Sequence, residues 1–213
     1  MQYYLSLPDG WTAAKKWPVV VAIESANRNF AQNAGEFEAA RGRMPFIIVT
    51  PLVVTNGGAG ARNAASYHYA EAVWNQIDGE GPFKFDADGI AAAIVDVSRL
   101  YGGEEKYFLT GWEAGGHTVW AMIFQHPEAL RAAAPVSFNY QGRWMSAGTF
   151  RSAPLLPLRI FRVEALPPPL IGQIAEARRT AEEHGFKDVS EEVVKKPHGP
   201  LAEEVLGYFA SLL

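Results

Sequence analysis

The sequence predicts an α/β protein: a mainly parallel sheet of about seven or eight strands with helices on both faces. Three observations carry that expectation. Short apolar runs rich in β-branched residues alternate with helical runs along nearly the whole chain. The clearest of them, PVVVAIE (18–24) and FIIVTP (46–51), lack polar alternation, as strands buried on both faces do. A third strand, KYFLTGW (106–112), runs through a glycine-bracketed turn straight into a helical segment.

Taken in order, YYLSLP (3–8) reads as an edge strand stopped by Pro8, followed by the strand 18–24. Residues 31–44 have a mixed amphipathic pattern and read as a helix before the strand 46–51. Residues 52–85 read as a long irregular excursion. It carries Asn56, Gly57, Gly58, Gly60 and the stretch Gly79 to Pro82, with Tyr67, His68, Tyr69 and Trp74 between them. The run 86–103 reads as a helix capped by Asp86 or Asp88 and stopped by Gly102. After the strand 106–112 come a helix (114–127), strands at 131–138 and 156–165, a helix (171–185), a strand (189–196) and a closing amphipathic helix (201–213). Between strand and helix, EALPPPLIG reads as a rigid connection.

The 213 residues suit one domain spanning 1–213, with 48% hydrophobic and 20% charged content. The net charge is -4, and no basic run argues for nucleic acid. No apolar run approaches the ~20 residues that a membrane-crossing helix needs. The chain has no cysteine, which excludes disulfides, thiol nucleophiles and Cys-ligated zinc. The first residues, MQYYLSLPDGW, lack a positive n-region and a long apolar stretch. The expected location is the cytoplasm, or outside the cell if a leader has been removed. The expected partner is a small, ester-like molecule, with no cofactor and no metal. Nothing in the sequence sets the oligomeric state.

In such sheets ligands sit beyond the carboxyl ends of the strands. The segment that stands out there is FLTGWEAGGHTVW (108–120). Gly111-Trp112-Glu113-Ala114-Gly115 fits the G-x-S-x-G nucleophile elbow, with Glu in place of Ser. Small residues two positions either side avoid clashes where the chain turns sharply. This context resembles the α/β-hydrolase superfamily, and within it the polyhydroxybutyrate depolymerase-like and feruloyl-esterase-like group. FLTGWEAGGHTVW is similar to that group's TGWSAGGH elbow with one substitution, and KPHGPLAEEVLGYF to its histidine loop and closing helix. The likeness spans nearly the whole chain, without the large lid of many lipases.

The resemblance implies Glu113 in the nucleophile slot, His198 in the base slot, and the backbone N–H groups of Ala26 and Ala114 as oxyanion donors. Where the group usually has His-Gly after the first buried strand, this chain has Glu24-Ser25. The acid slot falls on Leu166, in Val163-Glu164-Ala165-Leu166, so Glu164 is the only nearby carboxylate and is out of register. Glu24, Asn27, Trp112, Tyr67 and His68 are the expected pocket residues. His117, one turn beyond Glu113, reads as a structural hydrogen-bonding residue.

Serine-type acyl transfer needs a hydroxyl or thiol activated by a base that a carboxylate orients. Glu113 has neither, and Leu166 cannot orient a base. Three readings follow. Glu113 pairs with His198 and the site does no chemistry, leaving a binding protein or pseudoenzyme. Alternatively Glu113 is a carboxylate nucleophile or general base acting on an ester, epoxide or halide. In the third, Glu113, His198 and Glu24 serve general acid–base or metal chemistry, although no metal-ligand spacing supports a metal.

Overall fold

The computed structural model describes residues 1–56, 62, 64–142, 145 and 147–213. Seven strands form one sheet: β1 (Tyr3–Ser6), β2 (Val19–Ile23), β3 (Ile47–Pro51), β4 (Tyr107–Trp112), β5 (Leu130–Val136), β6 (Leu158–Val163) and β7 (Val189–Val194). Their order across the sheet is β1-β3-β2-β4-β5-β6-β7. Only β1 runs antiparallel, against β3, as suits an edge strand; the other pairings are parallel. Among the described residues there are six α-helices: α1 (Phe30–Arg41), α2 (Glu71–Glu80), α3 (Pro82–Tyr101), α4 (Gly115–Gln125), α5 (Pro168–Glu183) and α6 (Ala202–Ala210).

The period of two along each strand splits the core into two layers. Val19, Val21 and Ile23 of β2 pack with Ile90, Ile94 and Val97 of α3, with α4, and with Ile174 and Ala177 of α5. Val20 and Ala22 face the other way, onto Phe37 of α1 and Val205, Leu206 and Phe209 of α6. Helix α4 is mostly apolar and covered on every side: residues 115 to 124 are all buried, His117 and Thr118 among them. The chain steps outward from β2 to β3 and then crosses back to β4 on the far side of β2. That reversal places the carboxyl ends of β2 and β4 at the topological switch point, where α/β sheets leave a crevice.

The stretch expected to be irregular contains α2, with Trp74 and Ile77 buried one turn apart. Gly79 lies inside this helix, and Gly81, at φ 88°, ends it and starts the next. Positions 57, 58 and 60, also in that stretch, lie outside the described residues. The expected caps Asp86 and Asp88 are both inside α3, which begins four residues earlier at Pro82. Proline suits a first helical position because its missing N–H would have had no partner there. Gly102 does stop α3, in the left-handed region at φ 73°. In the expected rigid connection, Pro168 starts α5, again at a position that tolerates proline.

Asp86 is fully buried and has a different task. Its carboxyl accepts the N–H groups of Val54 (2.8 Å) and Thr55 (2.9 Å) and the Thr55 hydroxyl. Burial pushes its pKa up to about 7, against the pull of those three hydrogen bonds. It thereby pins the chain leaving β3. Beside it Phe30, Tyr67, Trp74 and Phe85 form a separate aromatic cluster, with Tyr69 against its edge.

Candidate functional site

Residue 113 sits between β4 and α4 with φ 46°, a left-handed conformation that L-residues with a side chain seldom adopt. The turn around it is tied by backbone hydrogen bonds. Glu113 N–H donates to Val136 O (3.3 Å), and its carbonyl accepts from Gly116 (3.0 Å) and Asn139 (2.8 Å). The flanking glycines are required by close approach. A Cβ on Gly111 would lie 2.8 Å from Val119 Cγ2 and 2.9 Å from Ile23 Cβ. One on Gly115 would lie 2.6 Å from the Glu24 carbonyl oxygen.

The carboxylate that this turn presents meets the histidine from the loop between β7 and α6. His198 Nε2 lies 2.7 Å from Glu113 Oε1. The Glu113 and His198 side chains are 31% and 34% exposed. The Trp112 ring stands edge-on to the imidazole, with centroids 5.6 Å apart. Lys196, two residues before His198, pairs with Glu203 (2.8 Å) and Glu204 of α6 and so fastens the histidine loop to that helix. The negative charge of Glu113 also lies next to the N-terminus of α4, where the helix dipole favours an anion.

Glu24, at the end of β2, is buried beside this pair. Ser25 Oγ donates to its Oε1 (2.9 Å), while Oε2 has no hydrogen-bond partner among the described residues. Burial raises its pKa, against hydrogen bonds from the Ser25 hydroxyl and from the Ser25 and Arg28 N–H groups, with a smaller upward push from the charge of Glu113. Asn56 donates its amide to the backbone carbonyls of Glu24 and Ser25, linking the end of β2 to the segment after β3. A cavity of about 240 Å³ opens between the ends of β2 and β4 and the histidine loop. Glu24, Asn27, Asn33, Glu36, Trp112 and His198 are among its walls.

Thus Glu113, His198, Glu24, Asn27 and Trp112 come together, and Asn33 and Glu36 of α1 join them, which the sequence reading did not include. Their signal was available: both lie on the helix that follows β2, three residues apart, on the side turned to the strand ends. Tyr67 and His68 are elsewhere. Tyr67 is in the aromatic cluster and donates its hydroxyl to Val53 O (2.6 Å). His68 is exposed and lines a separate surface depression with Met1, Arg28 and Ser66. Glu164 is also apart from His198. Its N–H continues the β6–β7 pairing to Val194 O (3.1 Å), and its exposed carboxylate lies 4.0 Å from Lys195 Nζ.

Leu166 packs partly buried against both core layers. No hydrogen bond from a described residue reaches His198 Nδ1. His117 is buried in α4, and burial lowers its pKa to about 4, so it is neutral at pH 7. Among the described residues no group of three or more His, Asp and Glu side chains is arranged to hold a metal ion.

No protein-family model and no curated protein sequence matches the chain. Solved structures do. A thermostable esterase superposes with a TM-score of 0.59 at 19% identity, covering 97% of this chain and 56% of the esterase. The chain therefore spans little more than half of that protein. The Bacillus cereus carboxylesterase gives 0.66 at 11% identity, covering 100% of this chain and 95% of that one. The poly(aspartic acid) hydrolase-1 of Sphingomonas sp. KT-1 gives 0.62 at 14%, covering 99% and 92%. Likeness at such identities establishes the architecture: the chain has the α/β-hydrolase fold. Among the described residues no helix is long and apolar enough to cross a membrane.

Proposed function

We propose that this chain is an esterase-type hydrolase scaffold whose acyl-transfer centre has been replaced by a Glu113–His198 ion pair. In this reading it binds a small ligand in the adjoining cavity and does not turn over esters by serine-type chemistry. The observation that carries the reading is the 2.7 Å contact between His198 Nε2 and Glu113 Oε1. The nitrogen that would take a proton from a nucleophile is engaged by a carboxyl group, and no hydroxyl stands in the nucleophile slot. The other imidazole nitrogen lacks an orienting acid, since Leu166 fills that slot with a hydrocarbon side chain and Glu164 is turned to Lys195. The wider resemblance to depolymerase-like and feruloyl-esterase-like hydrolases belongs to the same reading: the ancestry is esterase-like and the chemistry is retired.

The test is a p-nitrophenyl ester panel on wild type, Glu113→Ser and Glu113→Ser/Leu166→Asp. Wild type is expected to be silent. Glu113→Ser restores weak hydrolysis, and the double variant exceeds it, because disabling the triad aspartate costs roughly 10⁴ in kcat in a serine protease. Ester turnover by wild type at the rate of the double variant would overturn the proposal.

Two observations favour a second reading, in which Glu113 is a working nucleophile or general base. The strained left-handed turn persists at residue 113, and strain of this kind collects at functional sites. The N–H groups of Ala26 and Ala114 also form no hydrogen bond to a described residue, as oxyanion donors would not. Under that reading Glu113→Gln abolishes turnover of an ester, epoxide or halide. A Gln variant as active as wild type removes it.

A further inference from the structure

The surface depression that His68 lines has a volume of about 790 Å³ and shares Asn29 and Gln32 with the His198 cavity. Arg28 and His68 are on its wall, and no Asp or Glu is. Arg28 is part-buried, and among the described residues its guanidinium has neither an ion pair nor a hydrogen-bond acceptor. Nη1 is walled in without a partner, while Nε and Nη2, equally unpaired, stay open to solvent. The exposed imidazole of His68 has no hydrogen-bond partner among the described residues either.

The first turn of α1, Phe30 to Gln32, forms another part of the same wall. The N–H groups of Phe30, Ala31 and Gln32 find no acceptor among the described residues. Asn29 gives no side-chain cap, and the turn carries no acid. Two ties hold these parts together. Arg28 N–H donates to Ser25 O (3.4 Å), and the Arg28 carbonyl accepts the Ser66 hydroxyl (3.4 Å). The second tie brings the segment that carries His68 against the loop after β2.

We infer that this depression binds the oxyanion end of a small organic acid or phosphate ester, its oxygens accepting from Arg28 Nε and Nη2. A guanidinium offers a planar pair of N–H donors that matches two oxygens of a carboxylate or a phosphate. The positive end of the α1 dipole and the imidazole of His68 lie on the same wall and favour the same sign of charge. The chain carries a net charge of -4 and as a whole repels anions, so an uncompensated arginine in a wall free of acids is a local exception. The volume far exceeds that of a bare oxyanion, so the anionic group is one end of a larger molecule. The inference does not depend on whether Glu113 and His198 turn over esters.

The experiment titrates the whole chain at low ionic strength with sodium propionate, inorganic phosphate and propionamide. Nitrogen–proton correlation spectra are read at Arg28 Nε–H and at the Ala31 and Gln32 amides. Propionate or phosphate shifts these signals saturably in the millimolar range. Propionamide, the neutral counterpart of propionate, leaves them in place. The tighter of the two anions identifies the head group as carboxylate or phosphate. Arg28→Gln weakens binding roughly tenfold or more, as loss of a charged hydrogen-bond donor should. His68→Ala, at an exposed side chain where folding is not at stake, weakens it roughly two- to threefold.

Equal shifts with propionamide overturn the inference. So does a wild type in which neither anion gives a saturable shift, or an anion that binds and leaves Arg28 Nε–H unmoved. Undiminished binding by folded Arg28→Gln overturns it as well. Should Arg28→Gln fail to fold, the Arg28 Nε–H signal of wild type still decides whether the guanidinium is the contact.

Discussion

Replacing Glu113 by glycine and by alanine separates the strain at that residue from its hydrogen bond to His198. Its φ of 46° is of the left-handed kind, which costs a residue with a Cβ ~1–2 kcal/mol. Alanine keeps that cost and glycine removes it. Glycine brings a penalty of its own, ~0.5–1 kcal/mol of additional unfolded-chain entropy. Both variants lose the contact to His198. With the two side chains about a third exposed, that pair contributes ~0–1 kcal/mol after solvent screening.

Glycine should therefore leave stability near wild type, alanine should lower it slightly, and Gly should exceed Ala by about 0.5–1 kcal/mol. In a helix or strand the order is the opposite, so the sign alone carries the test. Urea unfolding with a common m-value resolves the difference, and for a chain of this size it corresponds to a Tm gap of about 1–4 °C. An alanine variant as stable as the glycine variant would show that residue 113 is not held in the left-handed region. A His198→Ala background should shift both variants equally, because the pair is already broken in each.

Other substitutions follow from packing and burial. Gly116→Ala places a Cβ 2.3 Å from Phe138 Cβ and 3.0 Å from the Asn139 carbonyl. It should cost about 1–3 kcal/mol or more in denaturant titration, since neither neighbour is a flexible side-chain end. Asp86→Ala strands the Val54 and Thr55 N–H groups and should destabilise by ~2–4 kcal/mol. Asp86 also sets a pH dependence. Its folded pKa of about 7 lies above the ordinary value of 3.8, so the folded state holds the proton more tightly. Its contribution is complete below pH 3.8 and is lost as pH rises through 7. The stability difference between wild type and Asp86→Asn should fall by a few kcal/mol between pH 4 and 7 and flatten above. A difference that grows with pH over that range would refute the assignment.

The parallel sheet was legible because its central strands are buried on both faces, and sequences such as VVVAI and IIVTP have no polar alternation to confuse the reading. The sharp turn at Glu113 was legible because Gly111 and Gly115 are forced by contacts with Val119, Ile23 and the Glu24 carbonyl. Helix α2 was hidden because Gly79 and Gly81 bracket its end and only Trp74 and Ile77 are fully buried, too few to set up a helical period. Asp86 looked like a cap because its partners lie in another segment, thirty or so residues away in the chain.

The site divides in the same way. Glu113 and His198 announced themselves through local pattern, whereas Asn33 and Glu36 matter only because α1 leaves β2 at the angle that turns them to the strand ends. Tyr67 and His68 drew attention by composition, but an aromatic run fills a core as readily as it lines a pocket.

Asp86 has a consequence beyond anchoring. It grips Val54 and Thr55, the next residue is Asn56, and the Asn56 amide holds the backbone carbonyls of Glu24 and Ser25. A continuous polar strut thus runs from the first turns of α3 through Val54, Thr55 and Asn56 to the backbone carbonyls at the end of β2. The backbone at the mouth of the cavity is thus held by a residue of α3 that no strand-end pattern marks as part of the site.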